Sequence, residues 1–202
     1  MAGFVQDSGM LRWLVVAGFV MAAVIVVGRL AAVRPVGGGE VLAGNGFRVD
    51  QESDAAHLLM CLVMLAMLVF PAAADPRALR GVLTAMIVVY AAVLMGRILR
   101  WRSVSVATFA YHLLAAGAML YAMSGHAERG MHMHMAGGPA PAPMLVLAAL
   151  FTADAVVMAV PASRRALWHM FPHAVGTGSK AVFPHLVMDL GTAYMLVLAA
   201  AG

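Results

Sequence analysis

Six apolar runs, each about long enough to cross a bilayer, decide what this chain can fold into. A spanning helix needs about 20 mostly apolar residues. Stretches at about 10–33, 55–74, 79–99, 104–124, 143–160 and 183–201 fit that length. Proline or charge closes most of them, at Pro35, Pro71, Pro76, Pro143, Pro161 and Pro184. Strands are disfavoured, because runs this long leave no apolar–polar alternation and an open sheet edge cannot face hydrocarbon. The expected fold is all-α, a polytopic bundle of six transmembrane helices forming a single domain over residues 1–202.

Charge supports the same class. Only 11% of the 202 residues are charged and 63% are hydrophobic, whereas soluble domains carry about 25% charged residues. Too few polar side chains remain to coat a water-facing surface, so the lipid bilayer is the expected solvent. The first run is read as a retained helix and not a signal peptide. It is too long, no Lys/Arg cluster precedes it, and no small-residue cleavage site follows. The lone Cys61 cannot form an internal disulfide. The arginines gather at the ends of apolar runs and no basic patch is interleaved with aromatics, which argues against nucleic acid as a partner.

The short connections Pro76–Ala78 and Arg100–Ser103 predict antiparallel neighbours. With six spans, one side holds Arg29, Arg34, Arg48, Arg97, Arg100, Arg102, Arg164, Arg165 and Lys180; the other holds Arg12, Arg77, Arg80 and Arg129. The positive-inside rule puts the larger group in the cytoplasm and both termini outside. The segment Ser163–Pro172, with two arginines and a tryptophan, suits the cytoplasmic interface or a plain helix end.

Histidine and methionine carry the functional signal. Of 18 methionines, several fall in register with a histidine. The second run holds His57, Met60, Met64 and Met67, and the sixth holds His185, Met188, Thr192 and Met195 at the same spacing. The fourth holds His112, Met119 and Met123, with Ala115 one turn after the histidine. At 3.6 residues per turn these positions line one face of each helix, a weak three-fold repeat of helix pairs. The loop 125–142 adds His126 and the alternation Met131, His132, Met133, His134, Met135, placed outside by the orientation above.

Imidazole with thioether suits a soft ion such as copper(I), and the zinc spacing of a cysteine-rich site is absent. Methionine stripes also serve as plain packing. Two carboxylates, Asp154 and Asp189, fall inside the fifth and sixth runs. An intramembrane carboxylate costs about 2.5–3.5 kcal/mol, so each should be paired or neutralised. His112 or Arg97 is the expected partner of Asp154. Asp189, four residues after His185, shares its face. No phosphate-binding loop, nucleophile elbow or HExxH motif occurs, so nothing in the sequence argues for an enzyme.

Tyr111-His112 followed by AGAMLYAM, the His/Met loop, the proline-initiated fifth run and HLLMCLVMLAMLVFP at His57–Pro71 together resemble the actinobacterial multi-helix membrane proteins grouped as a domain of unknown function (family 5134). The resemblance covers most of the chain and implies a bacterial plasma membrane; it implies no activity. Three functions fit these residues. One is a copper-handling protein that captures the ion on the outer loop and binds or passes it along the stripes. A second is a non-catalytic accessory or assembly subunit, with a membrane-protein partner or as a homo-oligomer. The third is a haem-binding bundle with histidines from two helices as axial ligands, His57 and His185 if their helices are neighbours.

Overall fold

The structure, a computed structural model, describes residues 2–32, 44–70, 76–99, 106–128, 140–160 and 179–201. They form the helices α1 (Ala2–Ala32), α2 (Gly44–Val69), α3 (Pro76–Leu99), α4 (Val106–Glu128), α5 (Pro141–Ala159) and α6 (Ser179–Ala201). Local chemistry sets several of the ends. Pro141 and Pro143 suit the first turn of α5, where a missing N–H costs nothing. α2 stops at Val69, short of the expected 74, because the ring of Pro71 pushes Phe70 out of the helical region. At its other end α2 extends well upstream of residue 55, through the polar turns around Arg48 and Glu52, which a search for apolar runs passes over.

The helices pack as three sequential antiparallel pairs, α1/α2, α3/α4 and α5/α6, and the even members α2, α4 and α6 all touch one another at the centre. α1 also leans on α6. Specific contacts fix each pair. Near the end of α1, Arg29 forms an ion pair with Asp54 on α2 at 3.0 Å. At the start of α3, Arg80 donates to the carbonyls of Met123 (2.8 Å) and Ser124 (3.3 Å) late in α4, placing positive charge toward the negative end of that helix. At the other end of the same pair, the guanidinium of Arg97 lies 4.9 Å from the centre of the Phe109 ring, a cation–π contact. Tyr90 on α3 donates to the carbonyl of Ala56 on α2 at 3.2 Å, tying two pairs together.

A tight contact between two helices lies between α1 and α6. A Cβ at Gly191 would overlap the ring of the fully buried Phe19. A small residue here lets the helices touch directly, as interfaces in lipid require.

Apolar residues cover both the inside and the outside of this bundle. The core holds Phe19, Met60, Met64, Leu83, Met119, Met188 and Leu196, while Leu14, Val24, Val88, Val89, Val146, Leu150 and Val156 face outward. A large outward apolar surface on the outer helices is what an acyl environment selects. Among the described residues, four stretches are long and apolar enough to cross a membrane: Gly9–Ala31, Arg77–Leu99, Pro141–Ala159 and Val182–Ala201. The expected count of six is thus met by four. The apolar parts of α2 and α4, Asp54–Val69 and Phe109–Ser124, are shorter. These are the central helices that the others shield, and they carry polar groups on the faces they bury.

Candidate functional site

All three stripes face inward. His57, Met60 and Met64 on α2, His112, Ala115 and Met119 on α4, and His185, Met188 and Thr192 on α6 are buried. Met67, Met123 and Met195 are half-buried and pack against the same core. Met131, His132, Met133, His134 and Met135 lie outside the described residues, as does Ser163–Pro172.

The three histidines meet at one level of the bundle. His57 Nδ1 and His112 Nε2 are 3.2 Å apart, in a hydrogen bond whose direction depends on the tautomers. Their rings meet edge to face, with centroids 4.5 Å apart. The ring of His185 lies 6.1 Å from that of His57. Aromatic rings from two helices surround the group. Tyr90 is 5.7 Å and Phe109 6.5 Å from His112, and Tyr111 is 5.0 Å from His185.

Asp154 pairs with His185, and not with the expected His112 or Arg97. His185 Nε2 is 3.0 Å from Asp154 Oδ2. The physical reason is helix packing. α5 leans on α6 along its length and only lightly on α4, while Arg97 is drawn to the Phe109 face. Asp189, one turn after His185, brings its Oδ2 to 3.5 Å from the same Nε2. One ligand atom each from Asp154, His185 and Asp189 fall within 4.8 Å of one another. Asp189 is 0% exposed, and neither of its oxygens accepts a hydrogen bond among the described residues.

The sequence suggests one continuous set of donors; the structure divides it into two halves. On one side an imidazole pair, His57 and His112, shares the interior with buried thioethers. On the other, one imidazole, His185, is shared by two carboxylates. The i, i+4 spacing of His185 and Asp189 carries half of the second cluster. Asp154 is joined to it only through three-dimensional packing.

No curated protein and no solved structure is significantly similar to this chain. Residues 49–199, about three quarters of the chain and all of the side chains just described, match the family described as Domain of unknown function (DUF5134). The chain therefore belongs to that domain-of-unknown-function family, and its buried histidine–carboxylate centre lies wholly within the family's segment.

Proposed function

We propose that this protein binds copper(I) inside the membrane, with His57 and His112 as nitrogen ligands and the buried methionines Met60, Met64, Met119 and Met188 as thioether donors further along the same stripes, on which the ion is bound or passed. The observation that carries this is the 3.2 Å separation of the two imidazole nitrogens in a buried interior. With metal–nitrogen bonds of about 2.0–2.1 Å, two ligands at the tetrahedral angle lie about 3.3–3.4 Å apart. The apo hydrogen bond thus keeps the nitrogens at the spacing an ion needs. Soft thioethers select copper(I) over the hard divalent ions. In this reading the loop segment Met131–Met135 supplies external capture.

Leucine at Met60, Met64, Met119 and Met188 keeps side-chain volume, a class of swap that usually costs under about 1.5 kcal/mol each. Purified wild type should take up copper(I) under reducing conditions. The quadruple variant should stay folded and lose that uptake, and alanine across Met131–Met135 should slow capture and spare the interior site. Wild-type protein unable to bind copper(I) under reducing conditions would overturn the proposal.

The same reading includes six spans in a bacterial plasma membrane, with α2 and α4 crossing as shielded central helices and both termini outside. Reporter fusions at the two ends should then both read extracytoplasmic, and a fusion between Leu99 and Val106 should read cytoplasmic. A terminus on the cytoplasmic side would refute this topology.

A further inference from the structure

We infer that Asp154, His185 and Asp189 form a second metal site, separate from the histidine–thioether pair and suited to a divalent ion of the zinc or cobalt(II) type. This goes beyond the copper reading and does not rest on it.

Three observations carry the inference. First, the donors converge: Asp154 Oδ2 and Asp189 Oδ2 lie 3.0 and 3.5 Å from the single nitrogen His185 Nε2. These separations lie close to the edge of about 3.3–3.6 Å that ligands at about 2.0–2.2 Å make round a tetrahedral ion, and all three donor atoms fall within 4.8 Å of one another. One N–H on Nε2 can serve the nearer carboxylate; an ion in its place would serve both. Second, Asp189 is fully buried and its oxygens accept no hydrogen bond among the described residues. Buried polar atoms nearly always find a partner, and such an exception in a native structure points to an ion or a water. Third, two buried carboxylates share one imidazole nitrogen, more oxygen donors than that single nitrogen can serve, and a divalent ion would take one oxygen from each.

The donor chemistry sets the ion class. One nitrogen and two carboxylate oxygens suit borderline and harder divalent ions, in contrast to thioethers. Three protein ligands leave a fourth position open. The Asp154 side chain is 13% exposed while those of His185 and Asp189 are 6% and 0% exposed, so Asp154 is the most accessible of the three donors.

Cobalt(II) provides the test, because its visible d–d bands report coordination directly. The full-length protein, stripped with chelator in mild detergent, should bind one equivalent with intense tetrahedral-type bands that zinc displaces. Asp154→Asn and Asp189→Asn each preserve shape and should weaken binding by more than about tenfold, the loss seen even for outer-shell partners of a metal. Asp154 sits at the rim, so its variant keeps the test readable if Asp189→Asn unfolds. Copper(I) uptake should be unchanged in Asp154→Asn, and cobalt(II) binding unchanged in the four-methionine variant. Cobalt(II) binding that neither asparagine variant weakens, or no cobalt(II) binding by wild type, would overturn the site. Failure of copper(I) uptake alone would leave it standing.

Discussion

Leucine at position 185 should cost the metal-free protein about 3–5 kcal/mol of stability, the scale observed when one member of a buried ionic cluster is removed. His185 is the group that faces both Asp154 and Asp189, so its loss leaves two interior carboxylates without the imidazole between them. The cost arises from those stranded acids more than from the missing contacts, and a second variant separates the two. Replacing Asp154, His185 and Asp189 together by leucine removes the polar cluster as a whole, and buried ionic groups exchanged for apolar ones of similar size often leave stability unchanged or raised. Unfolding by increasing SDS in mixed micelles should therefore rank wild type and the triple variant together, with His185→Leu well below both. A single variant as stable as wild type would show that the acids find other partners.

Leucine at Gly191 should be the most damaging single change at a helix contact. Adding even one carbon there overlaps the Phe19 ring, and Phe19 is fully buried, so its ring would have to be displaced within a packed interior. Overpacking typically costs about 1–3 kcal/mol and occasionally more; a four-carbon side chain at a direct contact belongs at the upper end. The loss should be relieved in part by Phe19→Ala, which vacates the volume the new side chain seeks. The same SDS titration reads the coupling: non-additive energies for the two changes are expected of residues in contact. Simple additivity would mean that α1 and α6 separate without cost.

Much of the architecture is legible in the sequence, for reasons tied to particular residues. Long apolar runs mark helices whatever their neighbours, and the histidine-led stripes at 57, 112 and 185 point inward as expected, because a 3.6-residue period shows which side chains share a face. Depth is less legible. The apolar runs place His112 deeper than His57 and His185, yet His57 meets both rings at one level; the polar first turns of α2 hide how far into its helix His57 lies. The partner of Asp154 is not legible either. α5 is apolar nearly all round, and such a helix carries no amphipathic stripe to show which way its one carboxylate points. Separating the donors into two groups likewise depends on which helices lean together, a property no single run contains.

The pairing of Asp154 with a histidine 31 residues downstream bears on how this protein is made. While α5 is newly synthesised, its acid lacks its partner His185, and releasing it alone into hydrocarbon is unfavourable. The hairpin α5/α6 carries both acids and their shared imidazole between its own two helices, so the two helices entering the bilayer together expose less bare acid to hydrocarbon than either would alone. Joint insertion of α5 and α6 is therefore the energetically favoured order, because the acid on one helix meets its partner only on the next.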